Sequence, residues 1–268
     1  MAEVYSDFAA VYDELMDDTP YASWCDFIVK AIEKYGVSLP VRNAAEALES
    51  ERNLVVDLGC GTGTLTELLY EKGYDMIGVD NSASMLSVAM EKKARHGSEI
   101  LYLLQDMREL DLYSTVGTVI SVCDSINYML EEKELLQVFS LVKNYLYPGG
   151  IFLFDFNTEY KYREVIGDTT IAETREDCSF IWENFYDLER GINEYDVTVF
   201  VQQEGELFRR FTETHFQRGY HVEQMRRLTE QAGLVVVEVL DADTGQAVTD
   251  TSERVYMITR KEDDKERG

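Results

Sequence analysis

The sequence predicts an α/β chain: a doubly wound, mostly parallel seven-stranded sheet with helices on both faces, plus an inserted antiparallel β meander. Three observations lead there. From Leu54 to Phe156 short apolar runs alternate with amphipathic stretches, the pattern of strands covered on both faces by crossover helices. Between 169 and 218 the period drops to two, as in strands with one buried face. After 219 the longer rhythm resumes with one more helix and two strands.

The elements follow in order. Over 3–16, Val4, Phe8, Val11 and Leu15 recur at helical spacing, and Tyr5, Phe8 and Tyr12 form an adjoining stripe. Thr19 and Pro20 read as N-cap and first residue of a second helix, which Gly36 ends. Residues 41–50 read as a weakly specified helix. Leu54-Val55-Val56 is the first strand, followed by a helix over 64–72 that Gly73 stops. A strand over 76–79 precedes a helix over 83–95, whose Lys92, Lys93 and Arg95 suit the negative end of its dipole. Strands follow at 100–104 and 118–122. A helix over 131–146 puts Leu135, Val138, Phe139, Val142 and Leu146 on one face, and Pro148-Gly149-Gly150 turns the chain into a strand over 151–156. In the meander Phe180, Trp182 and Tyr186 alternate, as do Tyr195, Val197, Val199 and Val201, and then Phe208 to Phe216; Glu189-Arg190-Gly191 and Glu204-Gly205-Glu206 mark turns. A helix over 221–232 stops at Gly233, and strands over 234–240 and 254–259 follow. The domain reading is a helical cap over 1–50, a core over 51–168 and 219–260, an inserted sheet over 169–218 acting as a substrate lid, and a flexible charged tail over 261–268.

Composition narrows the partners. The 268 residues include 51 acids and 25 bases, a formal charge of −26, and 45% are apolar, which is enough for a real core. A surface of that sign repels phosphate backbones and anionic lipid, so a nucleic-acid or membrane partner is disfavoured. Cys25, Cys60, Cys123 and Cys178 form no C-x-x-C, and the only histidines are His96, His215 and His221, so neither a disulfide framework nor a metal site is expected. The acidic N-terminus lacks a signal-peptide core, and no stretch reaches the length of a membrane span, which points to a reduced, cytoplasmic protein; whether it is a monomer or a homodimer the sequence leaves open.

The first strand runs into Asp57-Leu58-Gly59-Cys60-Gly61-Thr62-Gly63 and then directly into a helix. Glycines there allow a sharp turn and close approach of a ligand to the main chain, at the carboxyl end of a strand where open parallel sheets bind ligands. Asp80 ends the next strand, 23 residues after Asp57, where an acid can accept from both ribose hydroxyls. The dinucleotide spacing G-x-G-x-x-G fails, because Thr64 holds the sixth place, and there is no Walker lysine. A carboxylate at Asp57 would repel a pyrophosphate and suits a phosphate-free adenosine ligand carrying an ammonium. S-adenosylmethionine (SAM) has that chemistry.

Taken in order, DLGCGTGTLTELL, IGVDNSASML, LLQDMREL, VISVCDSINYML and YPGGIFLFDFNT resemble the successive motifs of the class I SAM-dependent methyltransferases over residues 54–157. YSDFAAVYDELM and the meander resemble a subgroup that includes small-molecule enzymes of the glycine N-methyltransferase type. The resemblance implies a Rossmann-like core and SAM as cofactor, leaving as S-adenosylhomocysteine (SAH). It implies that Asp57, Gly59, Cys60 and Gly61 line the methionine end, Asp80 holds the ribose, and Asn81 and Met85 border the adenine. Asp106 would accept from the adenine amine with Met107 behind the ring, Cys123 and Asp124 would lie under the sulfonium, and Tyr12 or Tyr21 would stand near the methyl. The two cysteines would be lining groups, not nucleophiles.

Methyl transfer from a sulfonium expels a neutral thioether, so alignment is expected to supply much of the rate, with a base needed only for a protonated acceptor. Tyr12, Asp124 and His215 are the candidate catalytic residues; for His215 a hydrogen-bonded sheet histidine is the competing reading. Asp124, Asn127 and Tyr128 follow a strand end, where substrate contact and loop capping are both open. His96 and His221 read as surface residues. The function expected is methylation of N or O on a small molecule. Methylation of RNA or protein, aminopropyl transfer and a non-catalytic SAM-binding module are the alternatives.

Overall fold

The apolar runs of the sequence become the strands of one central sheet. The computed structural model describes residues 8–40 and 50–262. The expected helical residues 3–7 with Val4 and Tyr5, the expected helix over 41–49, and the tail from 263 lie outside the described residues. In chain order the strands are β1 (Leu54–Leu58), β2 (Asp75–Asp80), β3 (Leu101–Leu104), β4 (Val116–Ser121), β5 (Leu146–Asn157), β6 (Thr170–Thr174), β7 (Cys178–Asp187), β8 (Ile192–Gln202), β9 (Phe208–Arg218), β10 (Val235–Asp241) and β11 (Arg254–Arg260). The described helices are α1 (Ala9–Leu15), α2 (Tyr21–Tyr35), α3 (Thr64–Glu71), α4 (Ala83–His96), α5 (Glu132–Tyr145) and α6 (Val222–Gln231).

Seven strands order as β10-β11-β5-β4-β1-β2-β3, and β6 to β9 form a separate antiparallel sheet. Within the large sheet β11 runs antiparallel to β5 and β10, and the other pairs are parallel. This is the doubly wound, mostly parallel architecture the sequence predicts. Strand alternation builds a core on each face. Phe152, Phe154 and Phe156 of β5 pack with Leu135, Val138, Phe139 and Val142 of α5. Ile151 and Leu153 turn to the other face, with Ile28 and Ile32 of α2 and Leu65 and Leu69 of α3. The chain reverses direction beside β1, which pairs with β2 on one side (Val55 opposite Met76) and β4 on the other (Val55 opposite Thr118).

Two of the boundary differences change how the chain is read. Pro20 keeps a non-helical ψ of 51° while its carbonyl accepts the first bond of α2, from Trp24 N–H at 3.0 Å. Pro20 is therefore the N-cap, and the Thr19 carbonyl accepts from Tyr21 N–H at 2.8 Å. β5 begins at Leu146, so Pro148-Gly149-Gly150 lies inside it as an excursion. Its register against β4 moves from Val116 opposite Leu146 to Thr118 opposite Ile151.

The inserted sheet does not pack on the core alone. Tyr195, Val197 and Val199 of β8, with Phe180, Trp182 and Phe211 on the neighbouring strands, close on Phe8, Val11 and Leu15 at α1. The other side of α1 is tied to the loop after β1: Asp13 accepts from Thr62 Oγ1 at 2.6 Å and Thr64 Oγ1 at 3.1 Å and pairs with Lys92 Nζ at 2.5 Å. One short helix thus joins the inserted sheet to the edge of the core.

Phe139 is fully buried, with ring centroids 5.8 Å from Phe152 and 5.1 Å from Phe154. Phe139→Ala is expected to destabilise the fold by about 3–5 kcal/mol, read as a lower urea midpoint with an unchanged slope.

Candidate active site

Four strand ends build the site. β1, β2, β3 and β4 are parallel neighbours, so their carboxyl ends leave the sheet on one side. A cleft of about 200 Å³ opens there, lined by Asp57, Gly59, Cys60 and Gly61 after β1, Asp80, Asn81 and Met85 after β2, Asp106 and Met107 after β3, and Cys123 and Asp124 after β4. Tyr12 and Tyr21 close it from the helical segment. Every residue expected to line a cofactor site therefore borders this one cleft.

The glycine turn is shaped by backbone needs. Gly59 has φ 75°, and a Cβ there would meet Ser125 Oγ at 2.4 Å. Gly61 has φ 54°, and a Cβ there would stand in open space, so its backbone is accessible from the cleft. Asp80 locks the turn by accepting from Gly61 N–H and Ser82 N–H, each at 2.8 Å. Burial raises the Asp80 carboxyl pKa, and these donors oppose the shift. Asp106 is clamped by Arg108, which donates from its backbone N–H and side chain, and this pairing holds the Asp106 carboxyl below the usual carboxylate range.

Asp57 is 2% exposed and accepts from Thr66 Oγ1 at 2.6 Å. Burial, with a smaller contribution from Asp80, pushes its pKa up to about 7. Among the described residues the cleft lining contains carboxylates but no lysine or arginine. Such a lining suits a cationic ligand and opposes a pyrophosphate.

A second chamber, of about 300 Å³, lies between α1, the inserted sheet and the end of β4. Its walls include Phe8, Trp24, Phe180, Trp182 and Tyr195. Tyr12, Cys123, Asp124 and Tyr128 border both cavities and form the boundary between them. Tyr12 Oη lies 3.9 Å from Cys123 Sγ. Burial pushes the Cys123 thiol up to about 12 and raises that of Cys60, so neither is a thiolate near neutral pH. The Asp124 carboxylate accepts from Gln217 Nε2 at 3.0 Å and Asn157 Nδ2 at 3.3 Å, and burial raises its pKa.

His215 lines the chamber, not the cleft. It is 2% exposed, stacks on Tyr195 at 4.9 Å, and places Nδ1 3.0 Å from the Tyr128 hydroxyl. Burial lowers its pKa to about 4, so it stays neutral at physiological pH. Asn127 is fully buried and serves the loop: Nδ2 donates to the Asn157 and Arg218 carbonyls, and Oδ1 accepts from Asn157 N–H. The Asn127 amide is thus engaged by backbone partners, as the loop-capping reading expects. His96 and His221 are exposed at helix ends.

Sequence reasoning missed Asp155 and Arg254. Asp155 is fully buried in β5, accepts from Cys123 N–H at 3.1 Å and Asp124 N–H at 3.0 Å, and pairs with Arg254. A signal was present: Asp155 is the lone charge in Ile151-Phe152-Leu153-Phe154-Asp155-Phe156, and a charge in a buried strand needs a partner. Gln217, Asp13, Thr62 and Lys92 carried no comparable signal.

Comparison with known proteins agrees with the geometry. The family model described as a methyltransferase domain matches residues 55–150. A protein of Geobacillus sp. (strain WCH70), provisionally named a methyltransferase, is 34% identical over 258 residues, covering 96% of this chain and 99% of its own length. A Bacillus subtilis (strain 168) protein with the same provisional name is 35% identical over 259 residues, covering 96% and 97%. The crystal structure of an S-adenosylmethionine-dependent methyltransferase from Clostridium acetobutylicum superposes with a TM-score of 0.82 at 28% identity, covering 96% of this chain and 99% of that one. Among the described residues, no cluster of three or more His, Cys, Asp or Glu side chains is arranged to hold a metal, and no helix is long and apolar enough to cross a membrane.

Asp57 binds its proton more tightly in the folded chain than an unfolded aspartate does, so its contribution to stability is lost as pH rises toward and through 7. Relative to the parent, Asp57→Asn is therefore expected to gain roughly 2–4 kcal/mol of ligand-free stability between pH 4.5 and pH 8.5. Denaturant melts at the two pH values measure this.

Proposed function

This chain belongs to the class I S-adenosylmethionine-dependent methyltransferases, and we propose that it methylates a nitrogen or oxygen of a small-molecule acceptor held in the aromatic chamber. The observation that carries this reading is the shared boundary of Tyr12, Cys123, Asp124 and Tyr128 between a polar, acid-lined cleft and an aromatic chamber of about 300 Å³. A donor in the one and an acceptor in the other would meet across those four side chains. The chamber's volume is at the small end for ligand sites, which favours a metabolite over a folded macromolecule.

The cleft residues fit the donor. Gly61 leaves open space where a side chain would stand, Asp80 ends β2 with its carboxylate already oriented by two backbone donors, and Asp57 places a buried acid beside the turn. When bound, SAM supplies an electrophilic methyl group on a sulfonium that leaves as a neutral thioether. Asp80 would accept from the ribose hydroxyls, Asn81 and Met85 would border the adenine, and Asp106 with Met107 would take its amine edge and face. Asp57 would answer the amino-acid ammonium. Tyr12 and Tyr21 would shield the reacting centre, and Asp124 is placed to receive a proton from the acceptor. His215 would act through Tyr128, fixing that hydroxyl at the boundary. Aligning the reacting atoms would supply most of the rate.

Incubating the protein with methyl-labelled SAM and a metabolite extract is expected to place label in the small-molecule fraction. Label confined to RNA or protein would reject the proposed substrate class. Calorimetry is expected to show SAM and SAH binding and no NAD binding. Asp80→Ala should weaken SAM by about tenfold or more, because the ribose hydroxyls lose their acceptor. SAM affinity should rise as pH approaches about 7 from below, with proton release on binding over that range, since an ammonium favours ionised Asp57.

A further inference from the structure

The carboxyl end of β4 is held in a conformation its side chains resist. Cys123 and Asp124 have φ of 66° and 56°, and among the described residues they are the non-glycine positions with positive φ. Left-handed backbone at two successive residues with a Cβ is strained, and it persists only where surrounding contacts over-determine it. Here one side chain takes both backbone N–H groups of the turn. In this conformation the N–H groups of Cys123 and Asp124 converge, the arrangement that in other settings forms an anion-binding nest. The anion is the protein's own: Asp155 Oδ2 takes Cys123 N–H at 3.1 Å, and Oδ1 takes Asp124 N–H at 3.0 Å.

Asp155 is fully buried, and its charge is answered by Arg254 through Nε and Nη2. Arg254 lies in turn over the Trp24 ring, 4.1 Å from its centroid, and near Tyr256, 5.3 Å from that centroid. A chain of contacts therefore runs from α2 through β11 and β5 to the boundary between the cavities. Its end is Asp124, whose carboxylate is steadied separately by Gln217 and Asn157.

We propose that Asp155 is a positioning residue for the transfer step: it fixes the strained Cys123-Asp124 turn so that the Asp124 carboxylate faces the cationic centre of the donor. The proposal rests on the placement of SAM in the cleft and adds a role outside the lining residues. A bidentate carboxylate is required, because an amide at 155 offers one acceptor oxygen and turns an N–H₂ group toward one of the two backbone donors. Loosening the turn lets Asp124 move, and charge recognition is lost while the rest of the cleft is kept.

The test measures charge discrimination with three adenosyl probes: SAM (sulfonium), sinefungin (ammonium at the methyl position) and SAH (neutral). Asp155→Asn is expected to weaken SAM and sinefungin about tenfold while SAH stays within about twofold, the signature of a lost charge contact rather than a damaged pocket. In an Asp124→Asn background, adding Asp155→Asn should leave the SAM-to-SAH affinity ratio within about twofold, because the residue acts through Asp124. The amide protons of Cys123 and Asp124 should move upfield in the NMR spectrum of the single variant as their carboxylate acceptor is lost. If Asp155→Asn does not fold with Arg254 left unpaired, Asp155→Asn/Arg254→Gln replaces the buried pair by a neutral one, and the same outcomes apply. Equal weakening of all three probes, or an unchanged ratio in the variant, overturns the proposal. Failure of the parent protein to bind any of the three overturns the cofactor reading instead, so the two failures are distinct.

Discussion

The parallel pairing of β1 between β2 and β4 is the constraint on which the site depends. It brings three carboxyl ends out on the same side of the sheet, and β3 adds a fourth. The chain turns away from β1 in opposite directions on its two sides, so no crossover fills the space above its end. Gly59, Gly61, Asp80 and Cys123 meet there although they are scattered over more than sixty positions. A register slip in any of these pairs would turn lining side chains toward the helices, because side chains alternate between the two faces of a strand.

The second structural debt is to α1. Its apolar side is covered by the inserted sheet, and Asp13 on its polar side holds the threonines after the glycine turn. Arg175, between β6 and β7, adds a pair to Asp17 just beyond the helix. The insertion and the glycine turn are therefore mechanically connected through one seven-residue helix. Tyr12 lies on that helix and borders both cavities, so the element that closes the cleft also walls the chamber. The electrostatics fit the same division. The cleft gathers carboxylates without a basic side chain, whereas the chamber is rich in aromatics and also holds Asp124, Lys161 and Arg254, the last matched to Asp155.

Much of this was legible in the residues. Parallel strands buried on both faces need continuous apolar runs, and Val55-Val56, Val119-Ile120 and Ile151–Phe154 are such runs. A sharp turn with an accessible backbone needs glycine, which made Gly59 and Gly61 visible, and an acid at the end of the next strand marked Asp80. Helix and strand ends were harder. Thr19 and Pro20 share the features of a cap and of a first helical residue, and only the backbone torsions assign them. Asp155 stood out as a charge in an apolar strand, but its partners lie 32, 31 and 99 positions away. Gln217 looked like any polar strand residue until β9 brought it to Asp124.

The sequence by itself determined the alternation of elements, the location of the glycine turn and the class of ligand that a carboxylate beside it can tolerate. Those properties are local, set by side-chain periodicity, backbone torsions and the charge of a few neighbouring groups. Tertiary structure alone decided which aromatics wall the chamber, that His215 remains neutral beside Tyr128 and Tyr195, and that Asp155 holds the turn after β4. Burial and convergence of distant side chains set these features, and neither quantity exists until the two sheets and α1 have packed together.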